Sequence, residues 1–249
     1  MPTVILSPHL DDAVLSCWHL LDQPGEVLVI NVFAGVPTDL GAPAWWDRYT
    51  GATDSAERVR ERIDEDRRAL AVAGRASVNL SFLDEQYRGQ TKPLAQLRSQ
   101  IERLLVPGAH LYAPAAFANH TDHALVRAAA LELRTSGVTV SLYADLPHAT
   151  LYGLPAWVAG KRGPTSKDLA GAAWDHALAG TEALAPRVHQ LDAEAHSRKL
   201  AAVRMYTTQL PGLEELAGRP LSDFEALGYE VDWTTASPAR ESHRAASRP

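Results

Sequence analysis

The hydrophobic positions of this 249-residue chain alternate between short continuous runs and longer runs with helical spacing. Thr3–Ser7 and residues 26–33 are short, rich in β-branched residues and almost entirely apolar, which is typical of parallel strands buried on both faces. Between them, residues 12–21 repeat their apolar side chains at helical spacing before a Gln-Pro-Gly sequence ends the run. The pattern predicts a β-α-β unit with a right-handed crossover.

The same alternation continues to about residue 144 and then loosens. Further strands are predicted at 77–82, 109–113 and 138–144, and further helices at 54–74, 94–105, 122–135 and 192–206. Residues 35–53 read as a long loop rich in Gly, Pro and Trp, and such loops in compact domains are often functional. We therefore predict an α/β fold, with a mostly parallel sheet flanked by helices and a less regular C-terminal third.

No internal repeat or convincing linker divides the chain. We predict a single domain over residues 1–235. Residues 236–249 lack a core-forming pattern and are predicted to form a flexible tail.

The charge, the cysteine content and the lengths of the apolar runs disfavour several classes of protein. The net charge of −6 and the isoelectric point near 5.9 differ from the basic footprint of nucleic-acid-binding proteins. The single cysteine, Cys17, excludes an intrachain disulfide framework and fits a reducing cytoplasm. The N-terminus has no signal-peptide pattern, and no apolar run reaches the roughly 18 residues of a membrane span. We expect a cytoplasmic protein with neither a nucleic-acid partner nor a membrane span.

The first predicted strand ends in Pro8-His9-Leu10-Asp11-Asp12. Ligands of open α/β sheets bind at the carboxyl ends of the strands, but this loop has no glycine through which the backbone could approach a phosphate. A histidine nitrogen and a carboxylate oxygen three residues apart can converge on one divalent cation, which leaves the other carboxylate beside the metal-bound water. The alternative interpretation, that Asp11 or Asp12 caps the following helix, does not account for the whole cluster.

A second strand end carries a related cluster. The strand predicted at 109–113 leads into Asn119-His120-Thr121-Asp122-His123, after which a helix begins. Asp122 alone can be read as a helix cap and His123 alone as a surface residue. One histidine from this cluster would complete a site of two histidines and one carboxylate with an open position for water.

Together the two clusters resemble the motifs of the LmbE/PIG-L family of zinc-dependent N-acetylglucosamine deacetylases. The first family motif is typically Ala-His-Pro-Asp-Asp-Glu and the second His-x-Asp-His, and the resemblance covers roughly residues 3 to 150. It implies a Rossmann-like core and one catalytic Zn²⁺ per chain. Leu10 replaces the usual proline and Ala13 the usual acid, and neither position supplies a metal ligand.

The resemblance also implies a role for each motif residue. His9, Asp12 and His123 would be the zinc ligands, and Asp11 the general base. His120 would steady the oxyanion or protonate the leaving amine, and Asp122 would orient a histidine. The implied substrate is a small acetylated amino sugar, free or within a glycoconjugate.

Several other residues are predicted to lie near the same carboxyl edge of the sheet. The substrate-binding candidates are Arg62 on the long charged helix, Asp84 after the third strand, and Tyr143 and His148 after the fifth. Asp145 falls in the same stretch. Trp45, Trp46 and Tyr49 can form an apolar wall for a sugar or acyl group, or simply anchor their loop. Five further histidines, at positions 19, 110, 176, 189 and 196, are interpreted as structural or surface residues.

Three alternatives stay open. A sister activity in the same family is the amidase that cleaves mycothiol-type conjugates. An iron(II) oxygenase would use the string His9-x-Asp11 with His123, although such enzymes usually carry it on a β jelly roll. A non-catalytic carbohydrate-binding protein is disfavoured because both motifs are intact. The sequence does not determine the oligomeric state, and an oligomer is possible.

Overall fold

A seven-stranded mixed sheet forms the centre of the computed structural model, which describes residues 1–38, 42–151, 153–160 and 169–236. The strands are β1 (Thr3–Ser7), β2 (Val27–Asn31), β3 (Ser77–Asn79), β4 (His110–Pro114), β5 (Thr139–Tyr143), β6 (Arg187–Gln190) and β7 (Tyr229–Thr234). They lie in the order β3-β2-β1-β4-β5-β7-β6. The first five are parallel, and β7 runs antiparallel to both β5 and β6.

Helices flank this sheet within the described ranges. They are α1 (Asp12–Ser16), α2 (Trp18–Leu21), α3 (Trp45–Tyr49), α4 (Ser55–Val72), α5 (Glu85–Arg88), α6 (Leu94–Leu104), α7 (Thr121–Thr135), α8 (Ala156–Ala159), α9 (Leu169–Leu178), α10 (Ala193–Val203), α11 (Leu210–Ala217) and α12 (Phe224–Leu227). The predicted α/β fold with a mostly parallel, Rossmann-like sheet is confirmed.

The strand order places a topological switch point between β1 and β4. From β1 the chain first extends the sheet through β2 and β3, and then returns to add β4 and β5 on the other side. The two loops that follow β1 and β4 therefore diverge from neighbouring strand ends and leave a crevice between them. Both polar clusters of the sequence lie on these two loops.

Local sequence explains where several helices begin and end. Asp54 accepts a hydrogen bond from the backbone nitrogen of Glu57 at 2.7 Å and so caps α4. Gly74 follows the end of α4 with a φ of +67°, a conformation that costs glycine little. The predicted loop over residues 35–53 contains the short helix α3.

The structure differs from the sequence prediction after β1 and in the C-terminal third. The single helix predicted over 12–21 is two helices, broken at Cys17, and the C-terminal third contributes β6 and β7 to the sheet. No apolar run marks β6 in the sequence, because its four residues are mostly exposed. Residues 237–249, which make up almost all of the predicted tail, lie outside the described residues.

A buried carboxylate accounts for the break at Cys17. Glu230 of β7 accepts hydrogen bonds from the backbone nitrogens of Trp18 at 2.8 Å and His19 at 2.7 Å, which are free because α2 begins there. The Lys199 ammonium of α10 lies 2.6 Å from the same carboxylate, and both side chains are fully buried. This ion pair joins α2, α10 and β7, so it anchors the C-terminal strands to the first β-α unit.

Among the described helices, none combines the length and apolar character that crossing a bilayer requires. Long helices such as α4 carry charged residues over much of their surface.

Replacing Lys199 with methionine should lower the free energy of unfolding by about 3–5 kcal/mol, because the buried Glu230 carboxylate would lose its cation. Urea unfolding followed by circular dichroism measures this change. Arg198→Met is the matched control: the neighbouring Arg198 pairs with Asp22 at the surface and its side chain is 44% exposed. That pair should contribute no more than about 1 kcal/mol. Equal losses in the two variants would contradict the assigned role of Lys199.

Acid should narrow the stability difference between the wild type and Lys199→Met. Burial alone would raise the pKa of Glu230, but Lys199 and His19 lower it to about 2. The stabilisation from the ionised carboxylate is therefore complete above the ordinary Glu pKa of 4.5 and is lost as the pH falls toward 2. Without Lys199, burial should leave Glu230 protonated at higher pH. Urea midpoints measured between pH 7 and pH 3 test this, and a constant difference would contradict it.

Candidate active site

The two polar clusters meet at the switch point of the sheet. β1 and β4 are hydrogen-bonded neighbours that run in the same direction, so the loops after Ser7 and Pro114 leave the same edge. Ser7 shapes the first loop by donating to the His9 carbonyl at 2.6 Å and accepting from the Ala13 nitrogen at 3.0 Å. The second loop ends at the start of α7, which carries Asp122 and His123 in its first turn.

Three ligand-type atoms converge between these loops. His9 Nδ1 lies 3.3 Å from His123 Nε2 and 3.4 Å from Asp12 Oδ2, and His123 Nε2 lies 3.4 Å from the same Asp12 oxygen. These spacings fit a metal ion, because tetrahedral bonds of about 2.0–2.1 Å hold their ligand atoms about 3.3–3.4 Å apart. Two imidazoles and one carboxylate are also the donor set of many catalytic zinc sites. The residues present therefore fit a divalent cation.

A carboxylate holds each histidine from behind. Asp122 Oδ2 lies 3.1 Å from His9 Nε2, and Asp145 Oδ2 lies 2.9 Å from His123 Nδ1. Each bond makes its ring nitrogen a donor and leaves the opposite nitrogen with its lone pair directed at the shared point. Such carboxylate–histidine pairs fix the tautomer and the ring orientation of metal ligands.

Asp122 is itself held in place by α5. Its Oδ1 accepts from the Arg88 guanidinium and its Oδ2 from the backbone nitrogen of Glu85 at 3.1 Å. Arg88 also stacks 4.6 Å above the Phe33 ring. Burial raises the pKa of Asp122, but the bonds from His9 and Arg88 outweigh it and hold the pKa below its usual range. Asp122 is therefore charged when it contacts His9.

Asp145 is held by a strained turn. It accepts from the backbone nitrogens of Ala116 at 3.0 Å and Phe117 at 2.8 Å. Ala116 has a φ of +63° and Ala118 a φ of +56°, a left-handed conformation that costs a residue with a Cβ about 1–2 kcal/mol. Strain of this kind persists where surrounding contacts enforce it and is concentrated at functional sites.

The electrostatics of the three converging groups favour a cation. Burial lowers the pKa of His9 and His123, yet Asp12, Asp122 and Asp145 outweigh it and raise both values. The pKa of Asp12 is held below its usual range by His123 and His9, against the effect of burial. The carboxylates thus draw positive charge to this point, and a metal ion competes with protons for the same nitrogens.

Asp11 is a carboxylate that remains available beside this point. It occupies the N-cap position of α1 but makes no side-chain cap bond, so the helix-cap interpretation does not hold for it. Burial and the adjacent Asp12 raise the pKa of Asp11 to about 6, against the opposing charge of Arg62. An aspartate with a pKa near neutrality is a stronger base than an ordinary aspartate.

His120 lies beside the converging atoms in the neutral form. Its ring centroid is 5.0 Å from that of His9 and 4.7 Å from that of His123. Burial, followed by the charges of His9, His123 and His148, lowers the pKa of His120 to about 2. A neutral imidazole keeps one N–H to donate, and the buried Nδ1 has no partner among the described residues.

A cavity of about 530 Å³ opens onto this cluster. Its polar wall includes Arg62, Asp84 and His148, three of the predicted substrate-binding residues. Arg62 is buried, its Nε has no partner within the described part of the chain, and its NH1 lies 3.8 Å from Asp84 Oδ2. The opposite wall is apolar and is formed by Trp45, Trp46, Leu146, Pro147, Leu151, Leu213 and Leu216.

Tyr143, the fourth predicted substrate-binding residue, requires a correction. It is fully buried, it does not line the cavity, and its hydroxyl donates to the Leu6 carbonyl at 2.8 Å. As the last residue of β5, its side chain points into the sheet core rather than out of the strand end. Its contact with β1 makes it a packing residue.

Three residues support the site through contacts that no sequence pattern indicates. The sequence places Asp145 near this edge of the sheet because it follows a strand, but no pattern predicts its contact with His123. Arg88 and Gln209 gave no signal, since each sits in a short polar segment. Gln209 accepts from the Trp46 indole at 2.8 Å and so holds the apolar wall in place.

No protein-family model matches the chain. Two curated relatives are both named 2'-N-acetylparomamine deacetylase. The one from Niallia circulans is 26% identical over 183 residues, which span 58% of this chain and 66% of the relative. The one from Streptomyces fradiae is 32% identical over 171 residues, which span 59% of this chain and 57% of the relative. The alignments therefore cover less than two thirds of these relatives.

Solved structures match over nearly the whole chain. The deacetylase Dbv21 of the A40926 pseudoaglycone superimposes with a TM-score of 0.72 at 27% identity, covering 96% of this chain and 99% of that one. The zinc-inhibited form of the teicoplanin deacetylase Orf2 superimposes with a TM-score of 0.71 at 26% identity, covering 96% and 100%. Both comparisons agree with the resemblance carried by the two motifs.

Asp145→Asn should weaken metal binding by about 10–100-fold, because the charge that orients His123 would be lost. Competition with a chelator of known affinity measures the change. Asp175→Asn, on the exposed side of α9, is the matched control and should bind metal as the wild type does. Thermal unfolding of the metal-free proteins checks that the variant folds. Unchanged affinity in a folded Asp145→Asn protein would show that His123 is oriented by other contacts.

Proposed function

We propose that the chain is a member of the LmbE/PIG-L family of deacetylases and that it hydrolyses the N-acetyl group of an N-acetylglucosamine-type sugar carried on a glycoside. The observation that carries this proposal is the convergence of His9, Asp12 and His123 beside the free carboxylate of Asp11, at the base of a cavity. The names of the relatives, which describe deacetylases of 2'-N-acetylparomamine, of the A40926 pseudoaglycone and of teicoplanin, support the same class of substrate.

His9, Asp12 and His123 would hold one Zn²⁺. When bound, this ion polarises the acyl carbonyl and lowers the pKa of water toward about 7. Asp122 and Asp145 keep the two imidazoles in the tautomers that such binding needs. The Orf2 structure described as zinc-inhibited indicates that zinc binds that relative.

Asp11 would act as the general base. Its raised pKa allows it to take a proton from the attacking water, and Arg62 beside it keeps the ionised form accessible near neutral pH. The same proton can then pass from Asp11 to the departing amine, since the C–N bond breaks only when the nitrogen becomes protonated. One carboxylate therefore serves both halves of the hydrolysis.

His120 would stabilise the developing oxyanion. Its low pKa makes it a neutral imidazole, which donates a hydrogen bond without first having to lose a proton. A donor fixed in a buried site before the reaction lowers the barrier more than a mobile one, because it need not reorient. His148, whose pKa burial and His123 lower to about 4, is also neutral and faces the same cavity.

The polar wall of the cavity would bind the sugar hydroxyl groups. Arg62 presents an unpartnered Nε as a donor, and Asp84 presents a carboxylate as an acceptor, so the pair can bind a hydroxyl group from both sides. The apolar wall continues to an exposed rim, where Trp45 is 62%, Tyr49 50% and Leu216 44% exposed. Such a rim suits a glycoside with an apolar aglycone better than a free sugar.

The oxygenase alternative has less support from the site. It requires Asp11 as the ligand in the string His9-x-Asp11, whereas the oxygen close to both imidazoles belongs to Asp12. The sheet is also α/β, not a jelly roll. The sister amidase activity differs only in the amide it cleaves, so it is tested by including a thiol-conjugate amide among the substrates.

The zinc-loaded protein should release acetate from N-acetylglucosamine glycosides, with KM falling as the aglycone becomes more apolar. The panel comprises free N-acetylglucosamine, its methyl, hexyl and octyl glycosides, an N-acetylated aminoglycoside and a thiol-conjugate amide, with acetate and primary amine both quantified. Asp11→Asn should lower kcat by about 10²–10⁴-fold through loss of the base, while zinc binding is retained.

Asp175→Asn serves as the matched control and should keep full activity. Absence of acetate release from every acetylated sugar by zinc-loaded protein would overturn the proposed function. Undiminished turnover in Asp11→Asn would instead retain the function and remove Asp11 as its base.

A further inference from the structure

A second histidine–carboxylate cluster lies outside the cavity. It consists of His19 of α2, His189 of β6 and Asp232 of β7, whose ligand-type atoms all lie within 4.8 Å of one another. His189 Nε2 lies 2.7 Å from Asp232 Oδ2, and His19 Nε2 lies 3.7 Å from the same oxygen. None of the three lines the cavity, so the cluster is separate from the site described above.

The tautomer of His19 is fixed by Glu230. His19 Nδ1 lies 2.7 Å from Glu230 Oε2, and this carboxylate is ionised because Lys199 pairs with it. Nδ1 must therefore donate, so the lone pair that a metal ion can use is on Nε2. His19 is 93% buried, since 7% of it is exposed, and its Nε2 has no hydrogen-bond partner among the described residues.

This lone pair faces a second acceptor. Asp232 Oδ2 is the charged oxygen nearest to His19 Nε2, and two facing acceptors repel each other unless a proton or cation lies between them. The other oxygen of Asp232 is occupied by Arg187, so Oδ2 is the one left for a ligand. His189 stacks on His19 with ring centroids 3.8 Å apart and presents its Nε2 to the same oxygen.

The second cluster has the same arrangement of a histidine between two carboxylates as the first site. In the first site, Asp145 contacts Nδ1 of His123 and so directs Nε2 toward the Asp12 carboxylate. In the second cluster, Glu230 contacts Nδ1 of His19 and so directs Nε2 toward Asp232. A carboxylate behind a histidine that faces another carboxylate is the second-layer arrangement of metal-binding histidines.

We propose that His19 Nε2, His189 Nε2 and Asp232 Oδ2 form a second site for a late first-row divalent ion such as Zn²⁺. The donor set of two imidazoles and one carboxylate suits Zn²⁺, Ni²⁺ and Cu²⁺. Tetrahedral ligand atoms lie about 3.3–3.4 Å apart, so the His189 ring would shift on binding to open its 2.7 Å contact with Asp232 Oδ2. This ring can move because its side chain is 30% exposed, which also leaves an open position for water.

Charge permits a cation at this point. The carboxylates of Asp232 and Glu230 face the cluster, and the cations packed against them are Arg187 and Lys199. His110 is farther along the same face, where it contacts Ser141 at 2.8 Å. Each of the two cations already neutralises one carboxylate, so the bound ion adds charge that the open, solvent-facing side of the site can screen. The ion would tie α2 to the edge strands β6 and β7, and its role would be structural.

Metal stoichiometry tests this site. The full chain is stripped with a chelator, incubated with Zn²⁺, passed through gel filtration and analysed by atomic emission. The wild type should retain two equivalents, and His189→Phe should retain one, because phenylalanine keeps the stacked ring but has no ligand nitrogen. His123→Ala, which removes a ligand of the first site, should also retain one. The double variant should retain none.

Two further measurements separate the outcomes. In the His123→Ala background, Zn²⁺ should raise the melting temperature by several degrees, and His189→Phe should abolish that shift. His176→Ala, on the exposed surface of α9, is the control and should retain two equivalents. One equivalent in the wild type, or a second equivalent that persists in folded His189→Phe, would overturn the second site without affecting the proposed deacetylase activity.

Discussion

The site depends on buried carboxylates that hold histidine rings from behind. Asp122 and Asp145 each occupy one ring nitrogen, so that His9 and His123 turn their other nitrogens toward the same Asp12 oxygen. An imidazole whose two nitrogens were both free would rotate between several orientations, and the three converging atoms would then lose their spacing. The tautomers are thus set by the protein before any ligand binds.

Burying a charged carboxylate costs free energy, and different partners offset this cost for each of these residues. Arg88 and the Glu85 amide balance Asp122, while two amides of a strained turn balance Asp145. The charges of Arg62, His9 and His123 offset the burial of Asp11 only in part, and its pKa accordingly remains raised. This difference gives the carboxylates different roles. Asp122 and Asp145, which accept several hydrogen bonds, orient histidines, whereas Asp11 remains available as a base.

The same principle operates at the far edge of the sheet. Glu230 accepts two backbone amides at the start of α2, the Lys199 ammonium and the His19 ring, and so connects the first β-α unit to the last strand. Its position explains why the chain interrupts its first helix at Cys17, which exposes amides for this carboxylate. The C-terminal third therefore completes the sheet and also supports the segment that follows the first polar cluster.

The sequence alone determined the central sheet and the positions of both polar clusters, because apolar runs reveal where buried strands end and parallel strands bring those ends to one edge. This pattern predicts that the two clusters meet, and the resemblance to a known family selects His9, Asp12 and His123 from them. Only the tertiary structure decided that Asp145 and Arg88 support the site, that Tyr143 turns into the core and that β6 and β7 extend the sheet. Those outcomes depend on side-chain directions and on contacts between residues far apart in the chain. A periodic pattern records only whether a position is buried, not which distant partner it meets.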